Sequence, residues 1–432
     1  LRRAEELRPV IHRKRIVPTG AFRLKDRYGT EIVPVPEKDY QKIVLGKGDN
    51  LCLDFGNHHV GRIFLEFAGR GSHPDAPAFI KLKFAETLEE LSENSREYNG
   101  WISSSWIQEE YVHVDRLPCR LELPRRYAFR YLRLTVIDTS PKYRLTVEQA
   151  LCRTVSSADW GALSAPRHSD PLLDRLCDVS LRTLANCMQQ VFEDGPKRDR
   201  RLWLGDLRLQ ALANYATYRN NDLVKRCLYL FAGVADDLGR LPACLFLEPR
   251  VEADDTFMFD YALFFIPILL AYYRQTGDEE AARELLPTAL RQMELSEEFF
   301  GEDDLIRDCD RLGWCFVDWN LDLNKQASAQ AIWLYCAKAA DELCEALDSQ
   351  KPAGLESRID ARGAAMLKRL YDRERGLFVS GAARQASWAS QVWAVLAGVV
   401  TGEEARRCLD AVAGAPDAVG MVTPYMMHHY NE

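Results

Sequence analysis

The sequence predicts a multidomain chain of all-β plus all-α class: an N-terminal β-sandwich followed by an (α/α)6 toroid, incomplete at its C-terminus. Three observations carry this reading. At 432 residues the chain is too long for one small core, so two domains follow from ordinary domain size. Its hydrophobic period changes from two to 3.6 near residue 155. About ten helical runs then follow without a sequence repeat, which disfavours a solenoid.

Residues 1–155 form the expected β-sandwich domain. "LCLDF" (51–55), "GRIFLEF" (61–67), "FIKLKFAE" (79–86) and "RYLRLTVI" (130–137) alternate or run apolar over strand lengths. Turn signals such as "GRGSHPDAP" (69–77) separate them, and short strands at this spacing suggest a sandwich. Trp101 and Trp106 in "GWISSSWIQEE" fit either core packing, the blander account, or a flat platform for a sugar ring.

Residues 156–171, "SSADWGALSAPRHSDP", are small, polar and proline-bearing, and read as a linker. Residues 172–432 form the expected (α/α)6-barrel domain. Its first helix starts behind Asp170 as N-cap with Pro171 at the first position. It sets Leu172, Leu176, Val179, Leu184 and Cys187 near one face. Further helical runs occupy 204–218, 221–235, 256–275, 279–300, 323–347, 355–371, 385–400 and 402–413, and another begins at Thr423. Six helical hairpins need twelve helices, so one hairpin is expected beyond Glu432.

The twelve cysteines lack metal-ligand spacing; those in apolar runs, Cys177, Cys187, Cys336 and Cys344, read as free buried thiols of a reducing compartment. "YALFFIPILLAYY" (261–273) is shorter than the ~20 residues of a membrane span. A cytoplasmic location is expected, although the sequence begins at Leu1 and a leader could precede it. The net charge of −8 argues against nucleic acid as a partner. No membrane partner and no cofactor are expected.

The stretch "EDGPKRDRRLWLGD" (193–206) concentrates the chemistry. Gly195 and Pro196 disfavour helix before Lys197, so a loop leads into the next helix. Asp206 falls in or just before that helix's first turn, where a carboxylate suits the free N–H groups. Asp194, Asp199 and Asp206 are thereby brought near Arg198 and Trp203. Carboxylates to accept hydroxyl hydrogen bonds, a guanidinium, and an indole to stack on C–H groups are what a monosaccharide site requires. Cleaving a glycosidic bond further requires one protonated carboxyl. The alternative is a loop stapled by Asp–Arg pairs with Trp203 as its anchor. Moreover, Lys197, Arg198, Arg200 and Arg201 flank Asp199, and positive charge lowers a carboxyl pKa. A general acid at Asp199 therefore requires those cations to pair with Asp194, Asp206 and outside partners, leaving Asp199 in an apolar, indole-lined pocket.

Asp194 to Asp206, continuing "LRLQALANYATYRNND", resembles the signature of the α-L-rhamnosidases, the inverting glycoside hydrolases of family 78. That pattern is an aspartate, Cys-Pro, Gln-Arg-Asp/Glu-Glu-Arg and Gly-Trp-x-Gly-Asp. Trp203 matches the family tryptophan, Asp199 falls where the general-acid glutamate sits, and Asp194 and Asp206 match the sugar-binding aspartates. Here the motif is one residue shorter and the acid is an aspartate. "RRYAFRYLRL" (125–134), "FDYALFFIPILLAYYRQTGD" (259–278), "FVDWN" (316–320), "SQVWAVLAGVV" and "TPYMMHHYNE" are similar to other family segments. The resemblance implies an (α/α)6 barrel and an exo-acting inverting glycosidase acting on a terminal deoxy-sugar.

Asp199 is thus the catalytic candidate, with Asp194, Arg198, Trp203, Asp206, Asp260, Asp318 and Trp319 as substrate-binding candidates. Asp318-Trp319 reads equally as a second aromatic wall or as a structural loop. Asp254-Asp255 reads as a helix start or a rim acid. The resemblance places the general base in a Trp-Glu pair beyond Glu432, with Glu432, Asp318 or Asp260 as substitutes. No metal site is expected, since the adjacent His428 and His429 should point apart on a helix. The competing functions are another toroidal glycosidase, a lyase of uronic-acid polymers using a Tyr/His base, and a non-catalytic carbohydrate-binding protein.

Overall fold

The computed structural model describes all residues except 26–30, 37–38, 162, 164–167 and 308–314. It divides into two compact units, Pro9–Arg200 and Leu1–Arg8 together with Arg201–Glu432.

The first unit is a sheet domain of nine strands: β1 (His12–Ile16), β2 (Gly20–Leu24), β3 (Ile32–Val35), β4 (Asn50–Gly71), β5 (Ala78–Ala85), β6 (Glu109–Val114), β7 (Cys119–Glu122), β8 (Tyr127–Asp138) and β9 (Tyr143–Ser156). They are hydrogen-bonded as one antiparallel sheet in the order β1-β9-β4-β8-β5-β6, with β2, β3 and β7 beside β4. Two predicted strands, 51–55 and 61–67, are one strand of 22 residues, β4. Its first part pairs with β2 and β8, and its second part with β7 and β9. The register breaks between Asp54 and His59, where Gly56 takes φ 80°. Asp54 accepts the Gly56 N–H at 2.7 Å and both Arg130 nitrogens at 2.9 Å, which pins the break. Leu51, Leu53 and Phe55 before it and Ile63, Leu65 and Phe67 after it enter one core with Phe84 and Phe129.

Neither tryptophan of "GWISSSWIQEE" is a core residue. Trp101 is 85% exposed and Trp106 is half-buried, both on the segment joining β5 to β6.

The expected boundary at 155–172 is also corrected. The capped helix forms as predicted, with the Asp170 carboxylate accepting the Leu172 N–H at 2.8 Å. It runs Pro171–Cys187 but belongs to the sheet unit, because it packs on β4 and β9. Only its C-terminal end reaches the sheet. Leu184 and Cys187 are buried there, whereas Leu172, Leu176 and Val179 of the predicted apolar face are exposed.

The second unit begins with a short helix that the sequence reading assigned to the β domain. Helix α1 (Arg2–Glu6) precedes α2, the Pro171–Cys187 helix, and packs on α4. The other helices are α3 (Leu204–Ala216), α4 (Asn221–Gly233), α5 (Phe259–Thr276), α6 (Glu279–Ser296), α7 (Gln326–Ala346), α8 (Leu355–Arg369), α9 (Trp388–Leu396), α10 (Gly402–Ala413) and α11 (Pro424–Asn431). Helices α3, α5, α7, α9 and α11 pack each on the next, while α4, α6, α8 and α10 pack outside their sequence neighbours. This alternation is that of consecutive helical hairpins. The inner helices α5 and α7 are correspondingly apolar on most faces.

Among the described residues every cysteine is a free thiol, and no helix is long and apolar enough to cross a membrane; Cys309 lies outside the described residues.

Helix α1 is held by Arg226, which is 2% exposed, donates to the Ala4 carbonyl and lies 3.6 Å from Glu5. Arg226→Ala leaves that carbonyl without its partner. It is expected to lower the unfolding free energy by about 1–3 kcal/mol, measured as a lower denaturant midpoint at unchanged slope.

Candidate active site

The charged stretch begins at the end of α2. Glu193 is buried and its two oxygens accept Arg126 Nη2 at 2.9 and 2.7 Å. Burial pushes its carboxyl pKa up, against the pull of the Arg126 charge. This pair fixes the start of the loop to β8. Gly195 and Pro196 then turn the chain, and Arg200 closes the turn. Its backbone N–H donates to Gly195 and Arg198 carbonyls at 3.2 and 2.8 Å, and its guanidinium donates to Pro196 and Arg126 carbonyls at 2.9 Å.

Inside this closure Asp199 and Arg200 adopt φ 62° and 58°. Two successive non-glycine residues in the left-handed region cost on the order of 1–3 kcal/mol each, and such conformations persist only where surroundings over-determine them. The side chain of Asp199 is 15% exposed and lies 3.9 Å from Arg198 Nη2, the outer limit of an ion pair.

The flanking cations have other partners. Lys197 donates to Glu90 and lies 3.3 Å from Glu86. Glu86 also sits 2.9 Å from His58 Nε2, whose Nδ1 receives the Asn186 amide at 2.9 Å. Burial works to raise the Glu86 pKa, but His58 and Lys197 hold it below the usual carboxylate range. Arg200 is turned onto backbone carbonyls. Arg201 stacks 4.3 Å over the Phe246 ring and lies 3.6 Å from Asp254, so Asp254 is a partner for that arginine. Lys197, Arg200 and Arg201 thus have partners other than Asp199, whereas Arg198 stands 3.9 Å from it.

Asp194, Arg198 and Asp199 belong to the sheet unit; Trp203, Asp206, Asp260, Asp318 and Trp319 belong to the helical unit. In the latter, β10 (Leu202–Trp203) pairs with β11 (Cys244–Phe246), which pairs with β12 (Glu252–Ala253). Trp203 then caps α3. Asp206 lies in that helix's first turn as predicted, and its charge is felt at Tyr425. A β-carbon on Gly205 would come within 2.3 Å of the Tyr261 ring, so glycine permits this approach. Trp203 meets Tyr261 edge-on at 6.2 Å, and Tyr261 adjoins Phe316 and Tyr425 at 5.8 and 6.4 Å. Trp203 Nε1 and the Tyr425 hydroxyl are buried without a hydrogen-bond partner among the described residues.

Two substrate-binding candidates are corrected. Asp260 is fully buried and its carboxylate accepts the N–H groups of Phe316 at 3.0 and 3.1 Å and of Val317 at 2.9 Å. It thereby holds Val317 at φ 51°, a conformation that a β-branched residue rarely adopts. Burial raises its pKa against those N–H groups. Asp318, 4% exposed, accepts from Trp319 N–H, Val422 N–H and the Thr423 hydroxyl at 2.9, 2.9 and 2.6 Å. It splints the 315–320 segment to the start of α11. Both are loop anchors, with oxygens turned to protein donors. Trp319 stands 60% exposed against Phe316.

The sequence reading passed over Arg208. It is 4% exposed and donates to both Glu432 oxygens at 2.8 and 2.9 Å, to the Tyr335 hydroxyl at 2.9 Å and to His429 Nδ1 at 3.2 Å. Its signal was an arginine on the apolar stripe Leu204, Leu207, Ala211 and Tyr215. Burial alone would raise Glu432, yet the adjacent His429 and Arg208 bring its pKa down to about 2. Of the three residues named as substitute bases, Asp260 and Asp318 are bound to main-chain donors and Glu432 to Arg208. Contrary to the helical-wheel expectation, ligand atoms of His428, His429 and Glu432 lie within 4.8 Å of one another. The Arg208 guanidinium already supplies positive charge there. The cluster Asp341, Glu345 and Glu356 likewise surrounds Lys351 Nζ at 2.7, 2.7 and 2.8 Å.

Residues 28–154 match the glycosyl hydrolase family 78 alpha-rhamnosidase N-terminal domain, and residues 163–421 match the bacterial alpha-L-rhamnosidase 6 hairpin glycosidase domain. The rhamnosidase from Klebsiella oxytoca, solved with rhamnose bound, is similar over 100% of this chain and 84% of its own, at 45% identity and TM-score 0.95. The family 78 rhamnosidase of Bacillus sp. GL1 shares the fold at 23% identity and TM-score 0.75, over 93% of this chain and 41% of its own. The α-L-rhamnosidase from Dictyoglumus thermophilum does so at 15% identity and TM-score 0.66, over 93% and 42%. No curated protein matches by sequence.

Two outcomes follow from the anchors and the arginine cluster. Asp260→Ala strands the Phe316 and Val317 N–H groups and is expected to cost about 2–5 kcal/mol, read by chemical denaturation. His429, lowered by burial to about 4, and Glu432 both favour the deprotonated form when folded. Their contribution is complete above pH 6.5, and is lost as pH falls toward about 4 for His429 and about 2 for Glu432. Glu432→Gln should flatten the decline of melting temperature below pH 4.5; an unchanged acid limb would contradict the assignment.

Proposed function

This chain belongs to glycoside hydrolase family 78, the α-L-rhamnosidases, and we propose that it releases a terminal α-L-rhamnosyl residue with inversion, Asp199 protonating the leaving oxygen. The chain is a glycosidase by that membership. The observation that carries the assignment of the acid is the pairing of its neighbours: Lys197, Arg200 and Arg201 each have partners other than Asp199. The Asp199 side chain is itself 15% exposed and lies 3.9 Å from Arg198 Nη2.

The remaining roles rest on the matched motif and on local chemistry. Asp194 and Asp206 accept hydrogen bonds from sugar hydroxyls, Arg198 donates to a ring or hydroxyl oxygen, and Trp203 stacks on the C–H face. Exposed Trp319 is assigned to the outer part of the substrate. Inversion requires a second carboxylate about 6.5–9.5 Å from the first, leaving room for water. The alternating packing of inner and outer helices supports the toroidal arrangement, and the shared core on both parts of β4 supports closure of the sheet as a sandwich. Free thiols support a reducing, cytoplasmic compartment.

Asp199→Asn retains shape and removes the proton. It is expected to lower kcat on an α-L-rhamnoside by about 10²–10⁴-fold with an unchanged melting temperature, while the wild type releases β-L-rhamnose as the first anomer seen by NMR. Undiminished turnover would remove Asp199 from the mechanism.

A further inference from the structure

Within the sheet unit a cavity of about 250 Å³ opens beside the acid-bearing loop. Phe84, Tyr98, Ile102 and Trp106 form its apolar side, and Lys197 and Arg198 its polar side. We propose that this cavity is the leaving-group subsite, taking one neutral six-membered ring, aromatic or pyranose, attached through the oxygen that Asp199 protonates. The inference rests on the assignment of Asp199 as the acid and extends it to a feature that the helical barrel does not provide.

Four observations support it. First, two of the aromatic side chains are not used in the core: Tyr98 is 38% exposed and Trp106 is half-buried, and both line the cavity. Second, the segment carrying them is built. The Asn94 and Ser103 side chains cap short turns by accepting the Arg96 and Ser105 N–H groups at 3.2 Å, and buried Lys83 donates to the Glu93 carbonyl. A β-carbon on Gly100 would fall 2.2 Å from the Tyr98 hydroxyl, so glycine lets that ring lie across the loop. Third, the lysine at the cavity is neutralised: Lys197 is paired with Glu86 and Glu90, and Glu90 and Glu93 also line the cavity, which disfavours an anion and suits a neutral ring. Fourth, Arg198 lines the cavity and also stands 3.9 Å from the Asp199 carboxylate. Lys197, Arg198 and Asp199 are consecutive, about 3.8 Å apart along the backbone, so a ring bonded to the protonated oxygen has only a short span to cross. The volume lies just below the ~300 Å³ at which sites for drug-sized ligands begin, as suits a single ring.

The test compares the full-length wild type with Trp106→Ala, Tyr98→Ala and Trp106→Phe on phenyl α-L-rhamnoside, a rhamnosyl-glucose disaccharide and methyl α-L-rhamnoside. Loss of one stacking face should lower kcat/KM about 3–10-fold on the ring-bearing substrates. Methyl rhamnoside turnover and inhibition by L-rhamnose should be unaffected, and Trp106→Phe should recover most of the loss. The phenyl and disaccharide arms distinguish an aromatic from a sugar leaving group. In parallel, saturation-transfer NMR with phenyl β-D-glucoside, which carries no rhamnose, should show ring contact in the wild type that Trp106→Ala removes. An equal loss on all three substrates, or none on any, overturns the subsite. A protein that cleaves no rhamnoside but shows the Trp106-dependent NMR signal would refute the rhamnosidase reading and leave the ring pocket standing.

Discussion

Four cationic side chains flank Asp199 within five residues, and the geometry of this loop depends on where those charges are directed. Lys197 is taken by a pair of glutamates on the segment after β5, Arg200 by main-chain carbonyls, and Arg201 by Asp254 and an aromatic face. Only Arg198 remains near Asp199, at the edge of ion-pair distance. The same contacts hold the loop, tying Lys197 to the segment after β5 and Arg200 to the Arg126 carbonyl. Charge placement and mechanical support are therefore one set of interactions, and a change to either alters the other.

Strained backbone recurs where side chains must be aimed. Asp199 and Arg200 are left-handed under hydrogen bonds from the Arg200 side chain, and Val317 is left-handed under the buried carboxylate of Asp260. In each case a polar group from elsewhere in the chain offsets the local cost. This explains why Asp260 and Asp318, which look like site acids in the sequence, are turned inward: their negative charge organises main-chain donors so that Phe316, Trp319 and Tyr425 can form a wall.

Local order was legible in the sequence. The change of period, the Gly195-Pro196 break, Asp170 as a cap and Asp206 in a first turn are short-range properties, and each has its counterpart in the structure. Long-range partnership was not legible. Nothing around Lys197 indicates Glu86, and nothing around Glu193 indicates Arg126. The apolar stripe on α2 suggested a buried helix, but only its last turns reach the sheet. Arg208 is the instructive miss: an arginine within a leucine stripe announces a buried counter-charge, although its partner lies more than two hundred residues away in sequence. The two tryptophans between β5 and β6 were ambiguous because an indole suits a core and a platform equally, and only exposure separates the two.

The docking of α1 on α4 through Arg226 has a consequence for biosynthesis. Residues 1–8 belong to the same compact body as residues 201–432, so in sequence the sheet unit lies between two parts of that body. During translation the ribosome must emit the whole sheet unit before the surface that receives Ala4 exists. Completion of the helical body is therefore a late, non-local closure.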